Sequence, residues 1–448
     1  MKKIVVLLFA VLFSLDTFAQ FNQYPKQDEG HLTGGLGLMW IDGKPHYRFS
    51  FRPEISFANF GVGLDLNLDF DSDGKLRKEN FNETSDYLSL IRYARYGVKN
   101  DPVYVKVGAL DYHTLGHGSI MYLYNNSPSF DTRKIGMVLD IDFGQFGFES
   151  IYSQFAEAGI LGLRGYVRPL QFTELGMIPV IGGVEVGATV VSDLHENAGV
   201  VRGFYNPITK KFETTQDEGS MTIIGFDIGF PLVRTDILDL TLYADYAKIL
   251  NFGSGVATGI KAELSGLGLV SLFAKLERRF NNKQYIPSYF NSFYEIERFK
   301  ADSTSGGAFS SKAAQLTNLT ETANGFYGEL GVDVLGLFNI IGSYQRLDKY
   351  PTSGILHLGT EIAPEEAPFV ARAGYDKINI KDEVDLFKLD DRSYLFFELG
   401  YKPYPFMLVS LVYHWTFTPV RDADDNILEY EPQKRIEPRI SFIYPFSF

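Results

Sequence analysis

The stretch "NFGVGLDLNLDF", Asn59 to Phe70, decides the fold. Phe60, Val62, Leu64, Leu66, Leu68 and Phe70 take every second position, with Gly61, Gly63, Asp65, Asn67 and Asp69 between them. Successive side chains of a strand point to opposite sides, so this strand has one apolar and one polar face. The pattern returns in "RKIGMVLDIDF" (133–143), "LDLTLYADY" (238–246), "FYGELGVDV" (326–334), "YLFFELGY" (394–401) and "RISFIYPFSF" (439–448). About twenty such segments of roughly ten residues run along the chain, and no long amphipathic helix interrupts them.

A soluble sandwich and a transmembrane barrel both alternate. Length separates them: sandwich strands run about five or six residues, tilted membrane strands about 9–11. The polar face, rich in Gly, Asp, Glu, Tyr and Arg, suits a crowded aqueous interior. Loop parity agrees. With Phe448 at the periplasmic end, the connections on that side include the short "KPYPF", "LGL", "SGLG", "FGQFG" and "SFANF". The other side receives the long ones: 71–85, 111–132, 195–220, 281–324, 379–391 and 418–435. The reading is an all-β, antiparallel, up-and-down barrel with an even count of about 18–20 strands.

Composition sets further bounds. The chain has no cysteine, which excludes disulfides and thiolate chemistry. "MKKIVVLLFAVLFSLDTFAQ" reads as a secretory signal peptide over 1–20, cut after Ala19 or Gln20, with the barrel over 21–448. Loss of Lys2, Lys3 and Asp16 moves the formal net charge from −13 to −14, which argues against nucleic acid as a partner. No run of about 18 apolar residues offers a transmembrane helix. With the first strand expected near His31, no plug domain of the size energy-coupled transporters use is expected before it.

The signal peptide, the dyad repeat and the terminal "ISFIYPFSF" together resemble a bacterial outer-membrane β-barrel protein of a porin-like, uncharacterised kind. The resemblance implies integral outer-membrane location, contact with its lipid, and recognition by the barrel-insertion machinery through Phe442, Tyr444, Phe446 and Phe448. "VKVGALDYHTLGHGSIMYLYNNSPSF" (105–130) is also similar to a segment of such barrels.

On inward phase fall Asp65, Asp69, Arg92, Lys106, Asp140, Asp142, Glu149, Arg164, Arg168, Glu185, Lys261, Glu263, Glu329, Asp333, Arg372 and Glu398. Asp227 and Lys275 join them. An open lumen with this mixed, net acidic wall would modestly favour cations; alternatively the charges pair and hold strands together. The longest loop carries Tyr285, Tyr289, Phe290, Phe293 and Tyr294, either a solute-binding constriction or a loop packed on itself above the membrane.

Three sharper chemistries are weaker. His117 and Ser119, in phase with Val103, Val105 and Val107, are expected to face lipid, similar to outer-membrane lipid hydrolases, but no acid follows to orient the histidine. Asp111, His113 and His117 form a minimal metal cluster without reinforcement. "DSDGK" and "RDADDN" lack full calcium-loop spacing and read as turns. The expected function is therefore non-enzymatic, needs no cofactor, and consists of passive passage of small solutes. A scaffold presenting its long loops within an outer-membrane complex is the alternative.

Overall fold

The computed structural model describes residues 27–448, except 79–80, 82–86, 88–89, 131–132, 266–267, 302–308, 336, 363–366, 423 and 448. The expected signal peptide and Phe448 thus lie outside the described residues. The wall is built from β1 (Glu29–Ile41), β2 (Lys44–Phe57), β3 (Phe60–Leu64 continued by Leu66–Phe70), β4 (Ile91–Tyr96) and β5 (Val103–Gly108). Then follow β6 (Gly136–Asp142), β7 (Phe146–Tyr152), β8 (Ile160–Val167), β9 (Glu185–Asp193) and β10 (Met221–Arg234). Next come β11 (Leu238–Ile249), β12 (Ser254–Leu264), β13 (Val270–Asn281), β14 (Ala323–Val334) and β15 (Phe338–Leu347). The last five are β16 (Gly354–Ile362), β17 (Phe369–Ile380), β18 (Ser393–Tyr404), β19 (Met407–Arg421) and β20 (Ile427–Ser447).

Each stave pairs antiparallel with the next, and β20 returns to β1 from Glu29↔Ser447 to Ile41↔Arg435. The sheet counts 21 strands because β3 breaks at Asp65, so the closed wall has twenty staves. Closure leaves no stave without a neighbour on both sides, as a wall in hydrocarbon requires.

Directly opposed residues share a face of a sheet. Lys261, Lys275, Glu329, Ser343, His357 and Asp376 lie opposite one another across β12 to β17 and form one inward row. Leu36 faces Phe49 on one side and Ile440 on the other, all exposed, and belongs to the outer apolar belt. The deciding stretch keeps its phase through the break: Phe60, Val62 and Leu64 are exposed, while Gly61, Gly63 and Asp69 are buried.

The connections alternate as expected, with two differences. At the near end, where Glu29 meets Ser447, the β8–β9 connection 168–184 is long and made of short helical turns. The staves β4 to β7 have only six or seven residues, shorter than the pattern predicts. β5 ends at Gly108, whose φ of 141° takes the chain off the wall. A Cβ there would stand 2.3 Å from the Arg92 carbonyl oxygen, so only glycine fits the exit.

Candidate functional site: two loops inside the barrel

Two far-end connections turn inward and meet. One is 109–135, between β5 and β6; the other is 282–322, between β13 and β14. They join along a short parallel ladder centred on Met121 and Phe290. The Phe290 amide donates to the Ile120 carbonyl (3.1 Å), and the Tyr122 amide donates to the Phe290 carbonyl (3.0 Å). The Ser288 amide reaches the Ser119 carbonyl at 2.8 Å. Around this joint Met121, Tyr124, Tyr289, Phe290 and Tyr294 are fully buried, and Tyr285 and Phe293 nearly so. All but Phe293 pack against the inward apolar residues Val138, Ile151, Val191, Ile223 and Ile249 of the wall, while Phe293 packs with Ile378, Phe417 and Tyr430. The aromatic loop therefore fills the far half of the barrel rather than packing on itself above it.

Polar ties fix this plug to staves all around the wall. The Gly116 amide donates to Glu149 (2.9 Å). The Tyr122 hydroxyl donates to Glu329 (2.6 Å). Lys275 Nζ donates to the His117 carbonyl (2.6 Å), and the His117 ring stacks on Tyr243 with centroids 4.2 Å apart. The Tyr294 hydroxyl and Arg298 Nε both donate to Asp193, at 2.7 and 2.6 Å. Glu295 accepts from the Tyr124 hydroxyl, Lys134 and Arg298. Asp376 takes His357 Nδ1 at 2.7 Å, and the Tyr112 and Ser292 hydroxyls at longer range. The Thr416 hydroxyl donates to the Pro128 carbonyl.

Burial shifts the titrations of the loop groups. It pushes the Glu295 carboxyl up, but Arg298 and Lys134 outweigh it and hold the group at about 2. It pushes His117 down to about 4 against the opposing pull of Asp227, and His113 down to about 3. Both histidines are neutral at pH 7.

Most of the charges expected on inward phase are paired, some with one another and others with residues outside that set. Arg164 makes a bidentate bridge to Asp227 (2.6 and 3.0 Å) and reaches Glu185 and, more distantly, Glu149. Arg168 holds Asp142 and Glu185, and Tyr166 lies between the two arginines with their guanidinium carbons 5.0 and 5.1 Å from its ring centre. Asp69 binds Arg48, and Asp65 binds Arg52 and the loop residue Arg133. Arg92 pairs with Glu54, and Asp140 with Lys99. Lys261 pairs with Glu263, and Glu398 bridges Arg372 and Arg439. Lys106 is buried, and Asp333 sits opposite Asn339 and Ser271.

The expected outward pair His117 and Ser119 needs correction. Strand phase ends at Gly108, and the loop carries both residues inward: His117 onto Tyr243 and within 3.8 Å of Asp227, Ser119 into the buried joint. The lipid-facing arrangement is therefore not formed. His113 pairs its backbone with Tyr124, away from the His117 stack, and no metal-holding group of three occurs among the described residues. In "DSDGK" and "RDADDN" the first carboxylates are used by backbone amides: Asp71 accepts from Asp73 and Lys75, and Asp422 from Asp424 and Asn426.

Sequence reasoning did not single out Asp193, Tyr243, Glu295, Arg298 or Asp376, although each is central to the plug. A signal existed for two of them. Glu295 and Arg298 stand three apart inside an aromatic run, and charges that follow a loop into an apolar interior must bring their partners.

No family model matches the chain, and no curated protein matches it. Several solved barrels overlay loosely. The Pseudomonas aeruginosa protein OccK5 (OpdH) is 12% identical, covering 94% of this chain and 99% of its own, with a TM-score of 0.34. Pseudomonas aeruginosa OpdK, solved with vanillate, is 11% identical over 93% and 98%, with a TM-score of 0.31. The siderophore receptor PirA of the same organism is 9% identical over 94% and 81%, with a TM-score of 0.38. At these scores the overlays carry no argument about function, and the fold stands on the strand register.

Proposed function

We propose that the chain is an integral barrel of the bacterial outer membrane that passes small solutes, with the two inward loops as its constriction. The near end is then periplasmic, and the exposed Leu, Ile, Val and Phe row is the lipid face. The observation that carries the reading is a gradient of water access along the inner face. Near the periplasmic end Lys261 and Arg372 keep 38% of their side-chain surface accessible. Toward the far end Glu277 and Arg279, in phase with Lys275, keep 0% and 3%. A wet vestibule thus leads up to a packed plug.

The plug is held by side-chain ties and two brief backbone bridges, whereas the wall is held by a continuous ladder. The loops can therefore shift without unzipping the barrel, and passage is limited by their displacement. Because the wall charges are paired, selection by sign is weak and selection by size dominates. Reconstitution into planar bilayers tests this. Small, discrete conductance steps are expected, and a correctly folded barrel that stays electrically silent would overturn it.

A further inference from the structure

The wall has a notch at the periplasmic rim. β9 begins at Glu185, opposite Gly229, whereas β10 runs on to Arg234. Five residues of β10, roughly 16 Å at strand rise, have no β9 partner. The connection 168–184 fills this gap, and its short helix Pro179–Gly182 packs against β10.

The filler is markedly apolar. Between Pro169 and Val184 the one charged residue is Glu174. Phe172, Leu175 and Ile178 are about half exposed, and Met177 is 82% exposed. On one side stand the exposed Phe143 and Phe146, and on the other Phe230 and Leu232 of the lipid-facing row. The patch therefore continues the apolar belt across the notch.

The backbone of the filler is also largely self-satisfied. The amides of Thr173, Gly176, Ile178 and Gly182 donate to the carbonyls of Leu170, Thr173, Leu175 and Ile178 at 2.7 to 3.1 Å. Non-strand backbone can sit beside lipid only when its polar groups find partners.

We propose that Pro169–Gly182 is a membrane foot, an interfacial element whose Phe172, Leu175, Met177 and Ile178 enter the headgroup–acyl boundary of the periplasmic leaflet. It rests on the reading of the chain as a membrane barrel. Its occupant is lipid rather than a periplasmic protein, because the patch is continuous with the lipid belt on both flanks.

The chain has no cysteine, so single-site labelling tests the foot cleanly. Met177→Cys, Ile228→Cys in the belt and Ile208→Cys in a far-end loop would each carry an environment-sensitive fluorophore. The labelled proteins are reconstituted into phosphatidylethanolamine–phosphatidylglycerol vesicles containing lipids with a nitroxide high on the acyl chain. Position 177 is expected to shift to the blue and lose emission to the nitroxide as 228 does, while aqueous iodide quenches only 208. Quenching at 177 by iodide, or shielding there from both quenchers, with 228 still quenched by lipid, would overturn the foot alone. Loss of lipid quenching at 228 would overturn the membrane barrel itself.

Discussion

Phe290→Ala separates a displaceable plug from a structural core. The side chain is fully buried at the joint of the two loops, with ring centres 5.2 Å from Tyr289 and 4.7 Å from Tyr294. Truncating a buried phenylalanine costs about 3–5 kcal/mol, from lost transfer and the cavity left behind. No wall ladder contact is touched, since Phe290 bridges only Met121 of the other loop. If plug docking is a step apart from barrel folding, the docked-to-undocked ratio falls roughly a hundred- to a few-thousand-fold, at about 1.4 kcal/mol per decade. In planar bilayers the variant should show larger and more frequent openings, with faster protease cleavage within 282–322. Its heat-modifiable migration on gels should match the parent protein. A conductance equal to the parent's, with a barrel melting transition lowered by the whole amount, would refute the reasoning: the loops would then be fold core and not a gate.

Three further outcomes follow. Plug docking should weaken as pH falls from about 6.5 toward 4. His117, neutral when buried at about 4, must charge as it does in the free loop, so the undocked state binds more protons across that window. His117→Gln should make this segment of a conductance–pH curve shallower, and His117→Gln with His113→Gln should flatten it, because buried His113 is held down to about 3 in the same loop; a further loss between about 4.5 and 2 remains as Glu295 protonates. Lys211 and Asp424 meet at 2.5 Å although their loops leave the wall half a barrel apart, so the hairpin 200–217 straps the far mouth. Joining Lys211→Cys to Asp424→Cys with a short bifunctional maleimide should lower conductance relative to the unjoined double variant. Arg164→Met should lower the unfolding free energy by about 3–5 kcal/mol, because Asp227 is left buried without its cation. A shift below 1 kcal/mol, read from denaturant titration in detergent, would show that the bridge is not needed.

What was legible in the sequence follows from what the residues report. A strand between lipid and water meets two solvents, so period two records which side each residue faces. Phe60 to Phe70 could be read on sight even through the break at Asp65. Partners could not: Arg164 finds Asp227 63 residues away, and only the register of the intervening staves brings them together. The loops have no repeating solvent boundary. Phase carried past Val107 sent His117 outward because the exit at Gly108 is one residue wide. Yet the plug leaves a trace in the wall. Along β10 the inward positions run Asp227, Gly225, Ile223 and Met221 toward the far end; along β11 they run Asp245, Ala247 and Ile249. β6 passes from Asp140 to Val138, and β7 from Glu149 to Ile151. A lumen wet along its length would keep these positions polar, since burying charge or exposing Ile and Val to water are both unfavourable. On these staves the inner face turns apolar at the height where Met121, Tyr289 and Phe290 press against it. A barrel strand whose dyad contrast fades toward the outer end thus announces, from sequence, that apolar loops enter the barrel there.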